Sequence, residues 1–99
     1  SAAHALSGFV SAVRERDFET VRGLLSEELR TRYDVRTLVA DYESAGEKVE
    51  QDLREIEEAL EAGGLVVDEE EGEARLPLGG GRAVHLVRET EGWRVASFQ

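Results

Sequence analysis

The side chain best suited by type to acid–base chemistry is His85, in the middle of "RAVHLVRE", because imidazole titrates near neutrality. As part of an enzyme it would need a carboxylate such as Asp41 in the same cavity. The plainer expectation is a half-buried or surface histidine. His4 sits near the fraying start of the first helix and is set aside. Tyr33, Tyr42, Trp93 and Phe98 join His85 as ligand-pocket candidates. Aromatic rings line ligand sites, and Tyr and Trp add a polar tip. The same residues are the natural core of a small domain, and core is the preferred reading.

No catalytic residue is assigned. Ser7, Ser11, Ser26, Ser44 and Ser97 stand outside any His–Asp pattern along the chain. "DEEEGE" (Asp68 to Glu73) is acidic and turn-like, but lacks the spaced oxygen ligands of a calcium loop. It reads as a solvated hairpin tip. Cysteine is absent, so thiolate sites and disulfides are excluded. No metal and no cofactor are expected. "LGGGR" invites a phosphate-loop reading, yet such loops need a helix N-terminus after them and a strand follows here. It reads as a hairpin loop.

A chain of 99 residues makes one domain, 1–99, with one modest core. Lys and Arg number 12 against 22 Asp and Glu, a net charge of −10. Such a surface repels nucleic acid, whose binding is driven by phosphate neutralisation. Anionic membrane surfaces are disfavoured for the same reason. The acidity itself reads as solubility. Only Lys48 among the basic residues is lysine, a pattern of GC-rich bacterial coding. No apolar run approaches the length of a membrane span. Methionine is absent even at position 1, so either a processed or excised piece of a longer chain or removal of the initiator is expected. A periplasmic or cell-envelope location, anchored upstream, is slightly favoured over the cytoplasm.

The candidates must be positioned by two kinds of element. Helical periodicity runs from Ala2 to Ala62, with three to four helices. Leu6, Phe9, Val10 and Val13 stripe the first, Ala2 to Arg16. Asp17 caps a second, whose stripe is Phe18, Val21, Leu24, Leu25 and Leu29, and Ser26 offers a restart within it. Asp34 caps a short helix through Tyr42 that ends near Gly46. Glu47 to Ala62 follows, striped by Val49, Leu53, Ile56 and Leu60. Gly46 either breaks these two helices or bends one.

After Gly64 the period changes to 2. Strands are expected at Leu65 to Asp68, Glu73 to Leu78, Arg82 to Glu89 and Trp93 to Phe98. Pro77 lacks an N–H, which favours a sheet edge or strand end. Helices first and antiparallel strands after mean an α+β fold, with the helices packed on a curved C-terminal four-stranded sheet. A three-residue loop with left-handed Gly92 would pair Glu89 with Trp93. Val84, Leu86, Ala96 and Phe98 would then share one face, and Ala83, His85, Val87, Trp93, Val95 and Ser97 the other. A two-residue loop would change the partners. Both faces then carry apolar groups, so each needs a cover: a helix, a ligand or a second copy.

"FVSAVRERDFETVRGLLS" resembles the opening helix pair of nuclear transport factor 2-like domains, the cystatin-like cone shared with SnoaL-like proteins. "VHLVRETEGWRVASF" resembles their closing hairpin. The resemblance implies a cone with a pocket, frequent dimerisation through the sheet, and a bacterial member without assigned activity. The chain departs from the pattern in lacking a strand candidate between the second and third helices. The Asp, His or Tyr set of the family's enzymes has no match here. The expected function is therefore a non-catalytic ligand-binding or protein-interaction domain, a homodimer through its sheet or a host for a small apolar ligand. A small cyclase, isomerase or dehydratase using the cone pocket is the first alternative. A structural domain of an exported lipoprotein is the second.

Overall fold

The computed structural model of the chain describes residues 1–98. Four helices come first: α1 (Ala2–Arg14), α2 (Phe18–Gly23), α3 (Glu27–Arg32) and α4 (Val35–Glu61). Four strands follow: β1 (Val66–Asp68), β2 (Glu73–Gly79), β3 (Arg82–Glu89) and β4 (Gly92–Ser97). The strands form one antiparallel sheet in the order β1-β2-β3-β4. This is the α+β architecture expected from the change of period after Gly64.

Each helix starts where a short polar side chain can satisfy an orphan backbone donor. Asp17 accepts from the Thr20 N–H at 3.3 Å, Ser26 from the Leu29 N–H at 3.3 Å, and Asp34 from the Thr37 N–H at 2.8 Å. α1 stops in a reversed turn. The Arg16 N–H donates to the Val13 carbonyl and the Asp17 N–H to the Ala12 carbonyl, at 3.0 and 2.9 Å. That pattern requires a left-handed residue, and Arg16 fills the place with φ 59° where glycine is usual. α4 is one run, bent at Ala45 (φ −129°, ψ 26°) beside Gly46.

One face of the sheet meets the helices. α1 lies on β4 and α4 on β2. Leu6, Ile56, Leu76, Val84, Leu86 and Val95 are the fully buried centre of the core between them. Burying such side chains contributes about 1.5–3 kcal/mol each and is the main force holding helices to sheet. Pro77 lies beyond the three-residue reach of β1, so β2 is an edge strand at that point.

The closing hairpin corrects the expected register. Glu89 pairs with Gly92 and Arg88 with Trp93, so the loop is the two-residue Thr90–Glu91. The cause is Gly92, which enters the ladder at φ 136° and does not serve as a left-handed loop residue. The pairing then shifts between Leu86, opposite Val95, and His85, opposite Ser97, which leaves Ala96 as the extra residue of a bulge. Trp93 and Val95 therefore join Val84 and Leu86 on the helix-covered face. The other face carries Glu73, Arg75, His85, Val87, Arg94 and Ser97, with the Pro77–Ala83 pair at its end, where Ala83 is buried. Apolar-in, polar-out alternation of this kind is normal for a sheet with one wet face. The expectation of two apolar faces, held for either loop length, is corrected: apart from Val87 and the Pro77–Ala83 pair the second face is polar across β2, β3 and β4.

The second helix, expected from Phe18 through Leu29, is interrupted after Gly23, and Ser26 caps its restart as α3. Leu24 to Ser26 runs parallel to β4, with a single bridge between Leu25 and Val95. The Val95 N–H donates to the Leu24 carbonyl at 2.7 Å, and the Ser26 N–H to the Val95 carbonyl at 2.8 Å. No residue there alternates long enough to register as a strand in sequence, yet these bonds cover the free edge of β4.

Candidate functional site

Two of the five ligand-pocket candidates come together. Tyr33 and Phe98 line an open cleft of about 620 Å³ at the end of the molecule where α3, the start of α4 and the end of β4 converge. Phe9, Val21, Leu25, Leu29 and Leu38 supply its apolar lining. Glu28, Arg32 and Asp41 are its charged groups.

Local folding explains each wall. The bulge at Ala96 returns the chain so that Phe98 reaches Phe9 of α1, ring centroids 5.5 Å apart and 38° between planes. Phe98 nonetheless stays 45% exposed. Tyr33 follows α3 directly, and the Arg22 guanidinium fixes that corner by donating to the Tyr33 and Arg30 carbonyls, both at 2.8 Å. Arg30 in turn donates to the Leu25 carbonyl. Glu89, at the end of β3, accepts from the Glu27 N–H at 2.7 Å and faces Arg30 at 3.5 Å. Its charge sits at the start of α3, where a carboxylate is favoured. Arg22, Arg30 and Glu89 therefore hold the α3 wall in place. None has a sequence signal, because their partners lie outside the i±3 and i±4 spacing that a helix pattern shows.

The other three candidates lie elsewhere. Tyr42 packs on Phe18 at 5.6 Å, edge to face, and the Arg16 guanidinium stands 5.2 Å over its ring. Trp93 is buried in the core with Arg88 5.5 Å over its ring. His85 sits on the wet face of the sheet, in a shallow depression of about 360 Å³ with Val66, Asp68, Glu73, Arg75 and Val87. His85 and Asp41 do not share a cavity.

The perturbed ionisable groups are structural. The Glu57 carboxyl is held below the usual carboxylate range by the hydrogen bond from Arg14, at 2.6 Å, and Arg14 is raised by the same bond. Arg82 is raised by its bonds to Glu55 at 2.7 and 3.0 Å. Asp17 and Asp34 are lowered by the Thr20 and Thr37 groups that donate to them as caps. All five serve to seat helices. Among the described residues, no buried side-chain polar atom lacks a partner and no set of three or more His, Asp or Glu converges as a metal site. No described helix is long and apolar enough to cross a membrane.

No family model, curated protein or solved structure matches the chain.

Proposed function

We propose that the chain is a non-catalytic binding domain and that its binding surface is the cleft at Tyr33 and Phe98. The observation that carries this is Phe98, a large aromatic left nearly half exposed beside an apolar lining. Covering that ring and its neighbours removes apolar surface from water, at about 25 cal/mol per Å². The surroundings are suited to holding an apolar group rather than to reacting with it. The ionisable side chains with clear shifts are engaged in caps and ion pairs outside the cleft. The resemblance of the opening helix pair and the closing hairpin to nuclear transport factor 2-like domains is kept as a reading of the ancestry.

A fragment mixture of small apolar and aromatic compounds, followed by amide chemical shifts, tests the proposal. Shifts are expected to cluster at Phe9, Leu29, Tyr33, Leu38 and Ala96, and to vanish in Phe98→Ala. Shifts scattered over the surface, or gathered around His85, would overturn it.

A second reading keeps homodimerisation through the sheet. Val66 and Val67 of β1 are 62% and 41% exposed at an open edge, and a second copy added there would cover them. Beside that edge lie Asp68, Glu69, Glu70 and Glu71, whose like charges oppose self-pairing. The cleft is therefore preferred. Native mass spectrometry over a range of concentrations separates the two: a dimer lost on Val67→Lys would support the edge.

A further inference from the structure

We infer that the cleft takes a ligand that joins an apolar or aromatic body to a cationic amine head. This rests on the cleft reading above and adds the chemical class of its occupant. Three aromatic rings, Phe9, Tyr33 and Phe98, line the same space. The negative faces of such rings attract a cation as well as an apolar surface. Asp41 reaches the cleft from α4 and makes no ion pair among the described residues. Glu28 reaches it from α3, and its one partner is Arg32 at 3.6 Å, with both side chains well exposed. Glu28 and Arg32 offset each other, so Asp41 leaves the cleft with one uncompensated negative charge. The chain as a whole carries −10, which draws cations toward the cleft and holds anions away. An apolar carboxylate would have to compete with Glu28 for Arg32 and would meet Asp41 uncompensated. A neutral apolar ligand would fill the lining but leave Asp41 without a partner.

Three probes of matched shape separate these cases: 2-phenylethylamine, 2-phenylethanol and phenylacetate. Each is titrated at low ionic strength and neutral pH into the folded chain, with amide chemical shifts as the readout. The amine is expected to bind at the cleft amides about five- to tenfold more tightly than the alcohol. In Asp41→Asn, an exposed position, the amine should lose its advantage over the alcohol, and an advantage that persists overturns the cation inference. Equal binding of amine and alcohol at the cleft overturns the cation inference and leaves the cleft reading standing. Tightest binding by phenylacetate also overturns it, and assigns Arg32 the leading part. Shifts elsewhere, or none with any probe, overturn both readings together.

Discussion

The two halves of α4 differ in charge density and do different work: three charged residues stand in 35–44 and nine in 46–61. The second half, 46–61, is anchored. Leu53 and Ile56 are buried against the sheet side, 3% and 1% exposed. Ion pairs flank them: Arg14 reaches Glu50 and Glu57 at 3.3 and 2.6 Å, and Arg82 reaches Asp52 and Glu55 at 3.6 and 2.7 Å. The first half, 35–44, has no buried residue. Leu38 and Tyr42 are half-buried, Tyr42 held by Phe18 and Arg16, while Leu38 and Asp41 face the cleft. The bend at Ala45 divides them. One helix thus serves as scaffold along one half and as a wall of the candidate site along the other. Sites are commonly drawn from less deeply packed elements, because an occupant must find apolar surface not already covered.

The contrast is broken most strongly by matched truncations. Ile56→Ala should cost about 2–5 kcal/mol, the transfer of a buried side chain plus the cavity it leaves. Leu38→Ala should cost about 1 kcal/mol or less, since its surroundings are half open already. Urea unfolding of the two variants at equal slope measures the difference. Similar losses at both positions would show that the first half is core, and would remove the ground for calling it a site wall.

What the sequence made legible follows the range of the interaction. The caps at Asp17, Ser26 and Asp34 and the stripe of Leu53 and Ile56 are local patterns, and they read directly as helix starts and a helix face. The strand limits at Arg82 and Glu89 were equally plain. The hairpin register was not. "TEG" permits a two- or three-residue loop, and the choice turns on whether Gly92 lies in the loop or in the ladder. That single residue moved Trp93 and Val95 to the covered face and stripped His85 of its aromatic neighbour. Tyr33 and Phe98 were legible as aromatic candidates, but their meeting was not. It depends on the Ala96 bulge and on the anchoring of α3 by Arg22 and Glu89, contacts that join residues far apart in the chain.

Acid sharpens the comparison, because each half of α4 depends on a depressed carboxylate. Asp34 starts the first half and is lowered by the donors of Thr37; Glu57 ties down the second and is lowered by Arg14. A carboxyl with a lowered folded pKa contributes stability above its unfolded pKa, and that contribution is lost as pH falls through the folded value. Both contributions should therefore be intact at neutrality and fade below about pH 4. Asp34→Asn keeps a capping oxygen but does not titrate. Amide protection at Leu38 and Val39, taken relative to the intrinsic exchange rate at each pH, should fall in acid in the unaltered chain and change less in the variant. Equal acid response in both would remove Asp34 from the account of the first half.

The smallest effect lies at the bend itself. Gly46 has an ordinary backbone conformation, and a Cβ added there would meet nothing within 4 Å. Alanine is favoured over glycine inside a helix by about 0.5–1 kcal/mol. Gly46→Ala should therefore stabilise the chain by that amount if residue 46 is helical in every conformation that matters. The gain should appear as slower amide exchange along 42–48, with little change around Ile56. A cleft wall that must shift to admit a ligand adds a second consequence. Stiffening the bend would then weaken binding of an apolar probe even as the unfolding midpoint rises. A higher midpoint with unaltered binding would show instead that the first half of α4 is already in its binding position, and that the bend serves only to carry one helix past both the sheet and the cleft.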